Sequence, residues 1–328
     1  MLISIIIPFK NSHRTLNKTV LSAYRQNYKN IEILLINNCS KDGSLKIAKK
    51  LCKKYSNIYL YHQNKLGVSN ARNLGIKKSK GKYLFFLDSD DLLSKSAIKN
   101  LFDQIKKNNG DYIISNHAQI RKRKIIKKNK LIKRNIIFNR LNFEYFLSKY
   151  FDYHYKYLIF THCWGRLYKK EIITKNNLIF DKKMKQLEDI DFNFNYIKYS
   201  KKIIYIKKIL YFHRADGLNK FNRESYNIGA DVIYSLQKIY KSIYFVTNSR
   251  KIKKKSKIKK KLKHLIVSIF IIFLLRILKE KTKKNQIKFL VILQKFHENI
   301  TLRKFFNYYI PKKDENTWIL SLYKNLFL

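Results

Sequence analysis

The sequence predicts an α/β protein, with a nucleotide-binding type of parallel sheet over about the first hundred residues and a mainly helical C-terminal region. Three observations support this. Short apolar runs alternate with amphipathic segments from Leu2 onward, as in parallel strands joined by helices. The apolar run 82–87 ends abruptly in the acidic sequence 88–91, where an open sheet would bind its ligand. Strand signals become sparse after about Leu218, where the composition changes.

The strands and helices of the first half follow in order. Residues 2–7 form a run rich in β-branched isoleucine, which Pro8 is expected to end. The other strands are predicted at 31–36, 58–61 and 82–87, and the helices between them at 12–26, 44–54 and 69–77. Because a helix separates successive strands, we expect parallel pairing with right-handed crossovers.

The elements after the acidic sequence are less regular. A helix is predicted at about 95–107, a strand at 112–115 and a last strand at 203–213. Residues 119–134 alternate basic with apolar side chains, which indicates either a solvated hairpin or a face turned towards anions. Aromatic residues are frequent over 138–160.

The C-terminal region combines a basic run with an apolar run. Residues 250–263 carry nine lysines, and the apolar stretch 265–275 is 11 residues long. A bilayer span needs about 20 apolar residues, so this stretch is too short to cross a membrane. Two interpretations are open for residues 250–280: an in-plane membrane anchor behind a polybasic segment, which we favour, or a buried helix of a small bundle.

The charge of the chain indicates an anionic partner. The 72 Lys and Arg residues against 21 Asp and Glu residues give a net charge of +51. Nucleic acid, anionic membrane and phosphorylated substrates all fit this charge, although an AT-rich genome would also inflate the lysine content. The three cysteines match neither a disulfide framework nor a zinc site, and the apolar N-terminus lacks signal-peptide features, so we expect a cytoplasmic protein.

Three carboxylates within four residues need an explanation, because they repel one another. Asp88, Asp90 and Asp91 follow a predicted buried strand directly. A hard divalent cation that carries a diphosphate would explain them, since Mg²⁺ and Mn²⁺ prefer oxygen ligands. An isolated Asp-X-Asp is more often a turn or a helix cap, so other motifs must support the metal site.

Further motifs lie at the other predicted strand ends. The sequence has SIIIPFKN at 4–11, NNCSKDGS at 37–44, NKLGVSNARNLG at 64–75, DSDD at 88–91, CWGRLYKKE at 163–171, QLEDIDF at 186–192 and YFHR at 211–214. This order closely resembles the inverting glycosyltransferases of family 2, and it does so most densely over residues 1–110. The resemblance implies the GT-A fold, a Rossmann-like mixed sheet, over residues 1–216. Residues 217–328 would form a separate, basic helical region.

The resemblance also implies roles for individual residues. Asp90 and Asp88 would hold Mn²⁺ or Mg²⁺ with the donor diphosphate, and Asp189 would be the general base. Arg72 would contact the diphosphate, and Asn38 stands where the family uses an aspartate to bind uracil. Pro8, Asn11 and Ser89 would also contact the donor, and His213 would contact the metal. Lys10 and Arg214 would lie close by. Trp164 would either stack on a sugar or fill the core.

These residues predict an inverting transferase that moves a sugar, most simply from a UDP-sugar, to a glycan or lipid-linked acceptor. The activity would be hexosyl or N-acetylhexosaminyl transfer in the synthesis of lipopolysaccharide, capsule or a related surface polysaccharide. We expect it at the anionic inner face of the cytoplasmic membrane, without a nucleic-acid partner. The alternatives are a basic nucleic-acid-binding protein, a nucleotidyltransferase that uses the same acidic sequence, and an inactive scaffold.

Overall fold

The computed structural model describes residues 1–122, 124–128, 132–153, 158–215, 229, 231–250, 252–278 and 282–309. Two compact units are present. The first comprises residues 1–139, 161–182 and 195–225, and the second comprises residues 140–160, 183–194 and 226–328. The boundary expected at 216/217 lies outside the described residues.

The first unit begins with alternating strands and helices, as predicted. Its elements are β1 (Ile3–Phe9), α1 (Leu16–Tyr24), β2 (Ile31–Asn38), α2 (Ser44–Lys54), β3 (Ile58–Gln63), α3 (Val68–Lys78), β4 (Tyr83–Phe86), β5 (Leu92–Leu93) and α4 (Ala97–Lys107). After these come β6 (Tyr112–Arg121), β7 (Lys124–Lys128), β8 (Ile136–Ile137), β9 (Arg166–Lys169), α6 (Lys170–Lys175) and β10 (Ile203–Arg214), while α5 (Arg140–Asp152) belongs to the second unit.

Within the described part of the chain, the strands form one mixed sheet of ten strands. Its order is β3-β2-β1-β4-β9-β6-β10-β5, with β7 paired to β6 and β8 paired to β10. β1 pairs in parallel with β2 on one side and with β4 on the other, so the order of the strands reverses at β1. Ligands of open α/β sheets bind at such a switch point. The prediction of a parallel nucleotide-binding type of sheet is therefore confirmed for this half.

Several sequence-based boundaries were wrong, among them the following three. β1 does not end at Pro8 but continues to Phe9; β4 pairs with β1 only as far as Ile6, so proline's missing N–H lies beyond that ladder. α1 begins at Leu16 rather than at residue 12, because Ser12 is used in contacts between loops. β6 extends beyond residue 115 to Arg121 and turns into β7, whose side chains are all exposed. Of the predicted segment 119–134, the described strand β7 thus pairs with β6 as an exposed hairpin arm.

The second unit is mainly helical in its described part. It contains α8 (Asp231–Ser249), α9 (Lys255–Leu278), α10 (Lys283–Glu298) and α11 (Ile300–Arg303), and α7 (Glu188–Tyr199) begins in it. Leu265, Phe270 and Leu274 of α9 are fully buried, and the Phe270 ring stacks on Phe296 with centroids 3.9 Å apart. The apolar stretch 265–275 therefore packs inside a bundle, and its interpretation as an exposed in-plane anchor was wrong. Among the described helices, none is long and apolar enough to cross a membrane.

Candidate active site

The loops at the carboxyl ends of β1 and β2 are joined by hydrogen bonds. Asn11, in a left-handed conformation (φ 48°), accepts a bond from the backbone N–H of Lys41 at 2.8 Å, and its own N–H donates to Ser40 Oγ at 3.2 Å. The N–H of Ser12 donates to Ser44 Oγ at 2.7 Å. Asn11, predicted as a donor contact, therefore holds the two loops together. Pro8, the other predicted contact on β1, is buried within the strand.

Asn38 ends β2 and fixes the loop that leads into α3. Its Oδ1 accepts a hydrogen bond from the N–H of Gly67 at 3.0 Å, and only 7% of the residue is exposed. Gly67 has φ 136°, a conformation that glycine adopts easily and other residues rarely do. A carbonyl oxygen has two lone pairs, so Asn38 keeps one for a ligand.

Arg72 of α3 lies beneath the acidic loop, defined here as residues 88–91. Its Nη2 is 3.4 Å from Asp88 Oδ1, and its guanidinium carbon is 5.2 Å from the centre of the Phe180 ring. The Arg72 side chain is 5% exposed, whereas that of Asp88 is 31% exposed. The buried guanidinium of Arg72 thus pairs with a carboxylate, that of Asp88, which is itself partly accessible to solvent.

One flank of the acidic loop is held by hydroxyl groups from α1 and the turn before it. The carbonyl oxygen of Ser89 accepts hydrogen bonds from Thr15 Oγ1 at 2.9 Å and from Thr19 Oγ1 at 3.0 Å. The Ser89 hydroxyl is 2.8 Å from that of Ser12. These bonds use both the carbonyl and the hydroxyl of Ser89, which was predicted as a donor contact.

The other flank is held by the end of β10. Tyr211 donates its hydroxyl to Asp91 Oδ2 at 2.6 Å and accepts from the N–H of Asp88 at 3.3 Å. Arg214 donates its backbone N–H to Asp91 Oδ1 and its Nε to the carbonyl of Asp90, both at 2.8 Å. Asp91 is 1% exposed. It therefore supports the loop from inside, while Asp88 and Asp90 remain as the candidate ligands.

Sequence reasoning missed the roles of Asp91 and Tyr211. Asp91 was part of the motif, but only the fold shows that Tyr211, at a sequence separation of 120, binds it. Burial, followed by the carboxylates of Asp90 and Asp88, raises the pKa of Asp91 well above its usual range, against the hydrogen bonds that lower it. Asp91 therefore takes up a proton more readily than an exposed aspartate, and the charge that could attract a cation comes from Asp88 and Asp90.

A stack of rings supports Tyr211. The Trp164 ring lies 4.3 Å from that of Tyr211 with an interplanar angle of 9°, and His162 covers the stack at 4.4 Å from Trp164. Trp164 is only 8% exposed, so it fills the core beneath Tyr211. His213 stacks more loosely at 6.1 Å from Trp164. Burial lowers the pKa of His213, whereas the carboxylate of Asp90 raises it.

The residues present fit a divalent cation whose coordination shell is completed by a bound ligand. Within the described part of the chain, no three His, Cys, Asp or Glu side chains form a ready-made metal site. Mg²⁺-type sites commonly use one or two carboxylates and take their other oxygens from water and substrate phosphates. Asp88 and Asp90 supply such a pair, whereas the predicted set of Asp88, Asp90 and His213 does not form a three-residue site in this structure.

Asp189, the predicted general base, lies in the first turn of α7 with Glu188 and Asp191. Three acidic residues there are favoured by the helix dipole. Leu187, the residue before α7, has φ 66°. Its carbonyl accepts hydrogen bonds from the N–H groups of Ile190 and Asp191. This left-handed conformation is costly for a branched side chain and is often found near functional residues. Asp189 belongs to the second compact unit, and the acidic loop to the first.

Comparison with known proteins gives consistent matches. A family model described as glycosyl transferase family 2 matches residues 4–175. EpsJ of Bacillus subtilis, an uncharacterized glycosyltransferase, is 27% identical over 66% of this chain, and the match spans only 61% of EpsJ. The poly(ribitol-phosphate) β-N-acetylglucosaminyltransferase TarP of Staphylococcus aureus is 28% identical over 74% of this chain and 72% of its own.

A solved structure shows the same fold. The structure of S. aureus TarS 1-349 in complex with UDP-GlcNAc superposes with a TM-score of 0.70 at 16% identity, covering 94% of this chain and 84% of that one. The GT-A fold and the helical C-terminal region expected from the sequence are therefore confirmed.

Proposed function

This chain belongs to glycosyl transferase family 2, and from that premise we propose that it transfers a sugar from a nucleotide-diphosphate donor to a hydroxyl group of a glycan or lipid-linked acceptor. The observation that carries the proposal is the acidic loop. Its two outer carboxylates, Asp88 and Asp90, are held at the end of β4, beside the switch point of the sheet, by contacts from α1, α3 and β10. A rigid acidic loop at this edge suits a cation-bound diphosphate.

The proposed reaction is a single displacement at the anomeric carbon. The acceptor hydroxyl gives its proton to the Asp189 carboxylate, and its oxygen forms the new bond to the sugar. The bond to the diphosphate breaks, and its electron pair stays on the phosphate oxygen. A bound Mg²⁺ or Mn²⁺, held by Asp88 and Asp90 with His213 beside them, would supply positive charge to that leaving group. Attack from the face opposite the diphosphate inverts the configuration.

The chain's own residues prepare this step. Arg72 offsets the charge of Asp88, and Tyr211 and Arg214 fix the orientation of the acidic loop before the donor arrives. Preorganised charge of this kind lowers a barrier more than groups that must first rearrange. General-base assistance by Asp189 would contribute about 10²–10⁴ in rate.

We propose a UDP-sugar as donor and an N-acetylhexosamine or hexose as the transferred unit. The name of TarP, an N-acetylglucosaminyltransferase, supports this choice, as does the UDP-GlcNAc in the TarS structure. The second lone pair of Asn38 Oδ1 is available to accept from uracil N3–H. For the acceptor we propose a surface glycan or a lipid-linked precursor, since relatives include TarP and a minor teichoic acid biosynthesis protein.

The net charge of +51 supports an anionic acceptor and a cytoplasmic location at an anionic membrane surface.

The test is transfer from UDP-GlcNAc, UDP-glucose and UDP-galactose to glycan and lipid-linked acceptors, comparing wild type with Asp189→Asn. We expect the variant to lose transfer by about 10²-fold or more while it still binds UDP. Asp103→Asn, at an exposed residue paired with Lys99, is the matched control and should be as active as wild type. Full activity of Asp189→Asn would remove Asp189 from the mechanism, and no turnover of any donor by wild type would contradict the proposed function.

A further inference from the structure

Helix α10 has one buried face. Phe289, Ile292, Leu293 and Phe296 are at most 4% exposed, and Phe296 stacks on Phe270 of α9. With 16 residues, α10 is about 24 Å long. This face alone accounts for the packing of α10 in the bundle.

The opposite face of α10 is also apolar, and it is exposed. Ile287 is 56% exposed, Leu290 53% and Val291 43%. Residues three and four positions apart are neighbours on a helix surface, so these three form one stripe. One apolar face of α10 is covered by the bundle, but the other is in contact with water, which is unfavourable. Contiguous exposed apolar surface commonly marks an interaction site.

Basic residues lie along one edge of this apolar stripe. Residues 283–304, which include α10 and α11, contain six Lys and Arg residues and one acidic residue. Lys288 and Lys295 are seven positions apart, about two helical turns, and so lie along one edge of the stripe. Apolar side chains edged by lysines are typical of helices that lie in the interface of an anionic bilayer.

We propose that α10 docks this protein on an anionic membrane surface, with Ile287, Leu290 and Val291 entering the headgroup region and the lysines contacting acidic lipid headgroups. A second copy of the chain is a poor occupant, because each copy carries a charge of +51 and like charges repel. The proposed membrane contact is thus made by α10 and not by α9, because the apolar stretch of α9 is buried. It gives a surface to the membrane association proposed above, yet it can be tested without sugar transfer.

The experiment is sedimentation of the full chain with vesicles of phosphatidylcholine alone or mixed with phosphatidylglycerol. The test variant is Leu290→Gln/Val291→Gln. The matched control is Ile125→Gln/Ile126→Gln, which removes two apolar side chains of 46% and 48% exposure from the lysine-rich strand β7. Circular dichroism and UDP binding of each variant establish that it is folded.

We expect wild type and the β7 variant to sediment with the anionic vesicles, and the α10 variant to bind about tenfold more weakly, because it loses apolar contact with lipid. Equal binding of the α10 variant and wild type would overturn the proposal. So would loss of binding in the β7 variant alone. Failure of wild type to sediment with anionic vesicles would also overturn the proposal. That result is expected if another part of this chain or a second copy covers the stripe.

Discussion

At the scale of single residues, the site depends on a buried carboxylate that is hydrogen-bonded to the protein itself. Asp91 accepts from the Tyr211 hydroxyl and from the Arg214 backbone, and the same hydroxyl accepts from the N–H of Asp88. The sequence pattern locates the acidic cluster, because it follows an apolar run directly, and the roles of Asp88 and Asp90 as metal ligands stay a prediction. The pattern could not select Tyr211, whose contact with the loop exists only after β10 has joined the sheet.

Tyr211→Phe tests this arrangement. The substitution removes one hydroxyl and leaves the buried Asp91 carboxylate short of a donor, so we expect a loss of about 1–3 kcal/mol in the free energy of unfolding and weaker binding of UDP. Denaturant titration and calorimetry measure the two effects.

Tyr205→Phe is the matched control. Tyr205 is buried in the same strand, and its hydroxyl has no hydrogen-bond partner within the described part of the chain. This variant should be as stable as wild type or slightly more stable. Equal effects of the two substitutions would show that the Tyr211 hydroxyl does not support the loop.

At the scale of elements, the alternation of strands and helices was predictable, but some ends were not. Helix α2 begins and ends where its pattern predicts, whereas α1 starts later because Ser12 binds Ser44 and Ser89. Such contacts join loops that are distant in sequence, and no local signal reports them. Leu187, whose left-handed conformation precedes α7, is a second case, since its side chain favours ordinary helical geometry.

The entry to β4 gives a prediction at this scale. A Cβ on Gly81 would lie 2.6 Å from the backbone nitrogen of Ser4, where nothing flexible can move aside. We expect Gly81→Ala to cost about 1–3 kcal/mol, measured by denaturant titration, because it pushes β4 away from β1. Since β4 carries the acidic loop, UDP binding should weaken as well.

Gly43→Ala is the control for that substitution. A Cβ on Gly43 would lie 3.8 Å from the Cβ of His13, an ordinary contact distance, and the change should cost less than about 1 kcal/mol. An equally stable Gly81→Ala variant would show that β1 and β4 are not held as closely as described.

At the scale of the whole molecule, the chain combines a sheet of the GT-A type with a basic helical region whose packing the sequence left open. The length of the apolar stretch excluded a membrane span, but an apolar segment that meets lipid and one that meets other helices can have the same composition. The contacts of Phe270 with Phe296 and Phe306 show that this segment packs against other helices.

Phe270→Ala tests the burial of this stretch. The substitution opens a cavity in the bundle, so we expect a loss of about 3–5 kcal/mol in the free energy of unfolding, measured with a chemical denaturant. Phe245→Ala in α8 is the comparison, because Phe245 is 55% exposed and should contribute less than about 1 kcal/mol. If Phe270→Ala were as stable as Phe245→Ala, α9 would not be the centre of the bundle.

The central claim is that the acidic loop binds a nucleotide diphosphate through a divalent cation, and calorimetry tests it most directly. UDP, GDP, CMP and dTDP are titrated with and without Mn²⁺ into wild type, Asp90→Ala and the exposed-site control Asp103→Ala. We predict that UDP binds wild type and the control only with Mn²⁺, and that Asp90→Ala abolishes this metal-dependent binding. UDP binding that is unchanged by removing Mn²⁺, or by replacing Asp90, would contradict the account.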